Sequence, residues 1–244
     1  MKSIASLILV LALRIAADAD TAPPPKAEAP IVMTINGEPV STAEYLLVME
    51  RQKASIYFLF KEQHNLDDYP GFWSAATGAD SPLARLRQAT LDELIRIKVN
   101  QGLGREKGLI KDASYTAFQA DWNRENASRN KALATGQVIY GPRQFREATY
   151  YYKRLDDLVY ELKCAIGKEQ DRKAQDDAIA QYINENRESL GGAPLTEILR
   201  ARILTVLQER EYEARMIKLC AAAKWQIAEP LLRPLVPRGE AEGG

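Results

Sequence analysis

Hydrophobic positions along this chain recur mostly at spacings of three and four, and only two short stretches alternate. The first is Ile31–Ile35, where Ile31, Met33 and Ile35 alternate with Val32 and Thr34. Asn36-Gly37 then signals a turn, because both residues tolerate positive φ. Ser41 with Glu44 three residues on forms a capping box for the helix that follows. The second stretch is Lys224–Ala228, near the other end. Strands this short leave backbone groups needing partners, so the two are expected to pair. Between them the pattern predicts a helix over Thr42–Gln63 and a loop over Asn65–Trp73. A second helix starts at Ser81-Pro82 and stops at Gly108. A third is capped by Asp112, carries Tyr115, Phe118 and Trp122, and ends by Gly136. Gln137–Phe145 reads as an extended piece with a Gly-Pro break. Helices follow from Arg143 to Ile166, over Glu169–Arg187, and over Leu195–Ala222. The fold class expected is mainly α, closed by a two-stranded element that pairs the termini.

Composition places the chain among globular proteins, with 27% charged and 46% apolar residues. The 33 basic residues are balanced by 33 acidic ones, which argues against a general nucleic-acid partner. Residues 1–19 read as an export signal, with Lys2 before an apolar core and Ala17-Asp18-Ala19 at a cleavage site. A retained membrane anchor is the alternative, although the apolar run of about 11 residues falls short of the roughly 20 that a span needs. Residues 20–30 form a Pro/Ala-rich linker. Residues 31–229 form one helical domain, 31–166 followed by 167–229. Residues 230–244 are expected to be an irregular tail. Export would put Cys164 and Cys220 in an oxidising compartment, where a disulfide and two buried thiols both stay open.

The chain lacks a phosphate-binding glycine loop and a nucleophile elbow. Its one histidine, His64, sits among polar residues at a helix end and reads as a surface residue. No metal is expected, since there is no Cys-x-x-Cys spacing. Adjacent acidic pairs such as Asp156-Asp157 do not face each other on a helix and read as solvated surface. Glu125, Asn126 and Arg129 form a polar i, i+1, i+4 group on one helix and read as a structural hydrogen-bond group. No cofactor and no catalytic residue is assigned.

Three segments carry a family resemblance. They are "INGEPVSTAEY" after the linker, "LDELIRIKVNQGLGREKGLIKDASY", and "WNRENASRNKALATGQVIYGPRQFREATYYYKRLDDLVYELK". Together they resemble the SurA N-terminal domain of exported chaperones and peptidyl-prolyl isomerases of the SurA and PrsA type, over about Ile31–Glu229. The chain departs from that pattern where a parvulin domain would lie, because Ile166 passes through Gly167 straight into the next helix. The resemblance therefore implies the helical chaperone module without isomerase activity. The function expected is an ATP-independent extracytoplasmic holdase, located in the periplasm or cell envelope, whose partners are unfolded or exported polypeptides. An atypical prolyl isomerase and a dedicated assembly partner are the alternatives, and a homodimer is left open. Candidate client contacts are Tyr57, Phe58, Phe60, Phe72, Trp73, Trp122, Tyr150, Tyr151 and Tyr152, since aromatics offer large contact area at small entropy cost. Tyr150–Tyr152 make the best case for exposure, because successive helical residues point about 100° apart and cannot all face one core.

Overall fold

A computed structural model describes residues 29–66, 71–75, 80–169, 171–191 and 194–237. The signal and most of the linker lie outside the described residues. Among the described residues seven helices and three strands follow in the order β1 (Ile31–Ile35), β2 (Glu38–Ser41), α1 (Thr42–His64), α2 (Pro82–Glu106), α3 (Tyr115–Ala134), α4 (Glu147–Gly167), α5 (Arg172–Glu185), α6 (Glu197–Ala221), β3 (Trp225–Ile227) and α7 (Glu229–Leu232), with a 3-10 turn at Phe72–Ser74.

The two terminal strands do pair. β1 lies antiparallel to β3, with Ile35 opposite Trp225 and Met33 opposite Ile227. The sheet has a third member that the alternation did not reveal. Asn36 (φ 51°) and Gly37 (φ 82°) turn the chain back, so that Glu38–Ser41 pairs with β1 as β2. Pro39 breaks any run of alternation there, yet proline is tolerated on the edge strand it occupies. β1 becomes the central strand and is buried on both faces, with Val32, Met33 and Ile35 all at 2% exposure or less.

α2 is the helix around which the others gather: it packs against α1, α4, α6 and the 3-10 turn. Ser81 caps it, its Oγ accepting from the Ala84 amide, and Pro82 occupies the first turn, where a missing N–H costs nothing. Its first half joins the sheet and α1 in one apolar core that includes Leu86, Leu94, Phe60 and Phe72. Its second half joins α4 and α6 in another, with Val99, Leu103, Leu162, Tyr212 and Met216. α3 takes a different course. It is 20 residues long, about 30 Å, but only Tyr115 at its start is buried and Phe118 packs part-buried against the main core, so the helix beyond its first turn extends from the core as an arm.

Several boundaries move for local reasons. The cap of α3 is Ser114, whose Oγ accepts from the Ala117 amide, while Asp112 accepts the Ser114 amide one turn earlier. α4 begins at Glu147, because Phe145 and the residues before it are bound to α3. The start of the expected irregular tail (230–244) is helical, and 238–244 lie outside the described residues. Residues 229–232 form a helical turn, Leu232 enters the main core, and Arg87 donates to the carbonyls of Arg233 and Leu235.

The capping box is half formed. Ser41 Oγ accepts from the Glu44 amide, but the Glu44 carboxylate does not turn back to the helix start. It is fully buried, and Lys98 Nζ lies 2.9 Å from each of its oxygens. Tyr151 donates its hydroxyl to the same carboxylate at 2.6 Å. One buried anion thus ties α1, α2 and α4 together. Burial and the neighbouring Glu44 push the Tyr151 phenol well above its ordinary pKa. A similar link joins α2 to α6, where the Tyr212 hydroxyl donates to Asn100 Oδ1 at 2.8 Å.

Candidate client-binding surface

The nine aromatic candidates do not form one exposed surface. Phe60, Phe72 and Trp73 are core residues at 1%, 1% and 7% exposure, and Tyr57 lies half-buried with its ring 5.7 Å from that of Phe72. Phe58 alone on α1 points outward, 60% exposed. Trp122 is half-buried and donates its indole N–H to the Phe145 carbonyl at 2.7 Å.

The expected exposure of Tyr150–Tyr152 is overturned for the first two, which are 6% and 2% exposed. The 100° argument assumed that α4 faces a single core. It meets neighbours on more than one side instead. Tyr150 packs toward the arm, against Phe118 and Phe145, and its hydroxyl donates to Asp121. Tyr151 points to Glu44. Tyr152 lies half-buried beneath the Arg51 guanidinium of α1, 3.7 Å from its ring centre. Burial and the Asp121 bond raise the Tyr150 phenol to about 12.

What these elements enclose is a cavity of about 310 Å³ between the α2–α3 connection, α3 and α4. Its apolar wall includes Leu109, Ile110, Ala117, Phe118, Leu155 and Leu158, and its charged lining includes Lys111, Asp112, Asp121, Arg124 and Arg154. Of the sequence candidates only Tyr151 reaches it. Leu109 and Ile110 went unnoticed because they follow the helix-stopping Gly108 and belong to no periodic run. Burial by itself would raise the Asp121 carboxyl. The hydrogen bonds from Tyr150 and Arg124, with Arg154 nearby, outweigh this and hold it below the ordinary carboxylate range. An acid so occupied is suited to fixing the cavity mouth rather than to proton transfer.

The arm beyond the cavity is held by the polar group read from the sequence. Asn126 Nδ2 donates to the Phe145 carbonyl at 3.0 Å and its Oδ1 accepts the Phe145 amide at 2.8 Å. Arg129 pairs with Glu125, lies 4.4 Å from the Phe145 ring centre, and donates to the carbonyls of Tyr140 and Pro142. The 135–146 connection is thereby bound along α3, yet Val138 and Tyr140 stay 82% and 87% exposed.

Cys164 and Cys220 are half-buried free thiols. His64 is exposed at the end of α1, beside Phe60. Among the described residues no group of three His, Cys, Asp or Glu could hold a metal ion, and no helix is long and apolar enough to cross a membrane.

No family model matches this chain, and no solved structure matches it at a significant level. It is similar to a protein of Bifidobacterium longum subsp. longum named as a chaperone for lacto-N-biosidase, at 22% identity over 184 residues. The match covers 71% of this chain and 63% of that relative, so the chain spans less than two thirds of the relative's length.

Proposed function

We propose that this protein is an ATP-independent chaperone of exported polypeptides, acting in the periplasm or cell envelope without making or breaking bonds. The observation that carries the reading is the likeness, over 71% of the chain, to a protein named as a chaperone. The resemblance of residues 31–229 to the SurA N-terminal domain points the same way. The cavity between α3 and α4 suits the role, since its apolar wall and charged mouth would accept an apolar client side chain while its backbone stays in water. Burying one such side chain yields about 1.5–3 kcal/mol, before the cost of ordering the client. Contacts of that strength exchange without an energy source, and several along one client would hold it by multivalency.

Light scattering of an aggregating, chemically unfolded client, with near-equimolar chaperone and no ATP, tests this. Suppression is expected, and Ala117→Phe, which fills the cavity from α3, is expected to weaken it while helix content stays the same. No suppression for several unrelated clients would overturn the general holdase. A second reading is favoured by the relative's name, which specifies one enzyme: a chaperone dedicated to a single client. Suppression confined to one partner protein would select it.

A further inference from the structure

We propose that the tip of the α3 arm, the segment around Val138 and Tyr140, is a docking surface for acidic stretches of the client polypeptide. This rests on the chaperone reading and adds the chemistry of the client segment. Three observations converge on it. Val138 and Tyr140 are the most exposed large hydrophobic side chains among the described residues, and they lie two positions apart. Single exposed apolar residues are ordinary, but this pair sits on a loop that is held in place. Arg129 binds the carbonyls of Tyr140 and Pro142, Gln144 donates to Asn130, and Asn126 binds both backbone groups of Phe145. Gly141, at φ 81°, makes the turn between the two carbonyls that Arg129 reads. These bonds fix the backbone and leave the two side chains outward. A loop ordered in advance loses less entropy when a partner binds.

The charge pattern identifies the partner. The chain as a whole is neutral, yet residues 126–146 contain Arg129, Lys131, Arg143 and Arg146 and no acidic residue. Arg129 is taken up by the loop itself. Lys131, Arg143 and Arg146 are exposed, and none has an ion pair among the described residues. An apolar and aromatic centre with a cationic surround complements a segment that carries carboxylates beside apolar side chains. A tyrosine at such a centre supplies contact area with few torsions to freeze.

The test uses the full chain and two permanently unfolded, fluorescently labelled probes, reduced and carboxamidomethylated α-lactalbumin (acidic) and lysozyme (basic). Binding is read by anisotropy, with anionic phospholipid vesicles as a third arm. The acidic probe is expected to bind about tenfold or more tighter than the basic one, and the preference to shrink as salt rises. Lys131→Glu with Arg143→Glu is expected to weaken it about tenfold, and Val138→Ser with Tyr140→Ser about fivefold, with unchanged circular dichroism. Equal binding of both probes, equal binding by wild type and variants, or uptake by vesicles in place of the acidic probe would each overturn the proposal. Aggregation suppression separates it from the chaperone reading. If suppression persists while the variants bind the probe like wild type, the tip assignment falls and the chaperone stands. If suppression is absent while probe binding depends on the tip, the docking surface stands and the chaperone reading falls.

Discussion

Two parts of this molecule are held by polar networks, and they use them in opposite ways. In the body, Glu44, Lys98 and Tyr151 meet where α1, α2 and α4 converge, with both charged side chains at 1% exposure or less. In the arm, Asn126, Arg129 and Trp122 bind a loop to one helix at the surface. The buried network selects one arrangement of three helices, since any shift strands a charge in a medium that cannot solvate it. The surface network shapes a loop that has little apolar area to bury. Rigidity in the body thus comes with a sealed interior, and rigidity in the arm comes with side chains left available.

The largest expected effect breaks the body. Lys98→Ala leaves the Glu44 carboxylate buried without its cation and should cost about 3–5 kcal/mol in urea unfolding. Pairing Lys98→Met with Glu44→Leu should recover part of that loss, because it removes the unpaired charge although the buried Tyr151 hydroxyl loses its acceptor. A double variant as unstable as the single one would mean that the ion pair is not what joins these helices. Next, Asn100→Ala strands the Tyr212 hydroxyl between α2 and α6 and should cost about 1–3 kcal/mol, measured the same way. In the arm the same kind of deletion should act locally. Asn126→Ala should cost about 1 kcal/mol or less globally, while amide exchange rises over 136–146 and stays unchanged in α2. Global destabilisation matching that of Asn100→Ala would dissolve the contrast between the two regions.

A pH dependence sharpens it further. Asp121 joins α3 to α4 with a carboxyl held below its ordinary value, so its contribution is present above the ordinary carboxylate pKa of about 4 and is lost as pH falls through the depressed value. The stability gap between wild type and Asp121→Asn should therefore be open at neutral pH and closed in strong acid. A gap independent of pH would assign Asp121 a packing role alone. The smallest effect on stability is expected from Arg143→Glu, within about 0.5 kcal/mol.

Much of the fold was legible in the chain. Period-3.6 runs, the caps at Ser41 and Ser81, and the glycines at 108, 136 and 167 placed the helices to within a few residues, because these signals act through the local backbone. The pairing of the terminal strands was legible as well, since a lone strand must find a partner. The polar group at Asn126 and Arg129 could be read from helical spacing, because its members share one face of α3. Even the cationic segment 126–146 was there to be counted.

Which side of each element meets protein was decided only by tertiary structure. Glu44 looked like half of a capping box until the approach of α2 and α4 offered it Lys98 and Tyr151 in place of water. Tyr150 and Tyr151 looked too divergent to be buried together until α4 proved to have neighbours on more than one side. The third strand needed β1 as a template, because Pro39 hides its alternation. The cavity is lined by residues from three helices and a connection, and no local pattern encodes it. Sequence periodicity reports which residues share a face. Burial and exposure depend on how many partners that face meets, and that is set by contacts between elements far apart in the chain.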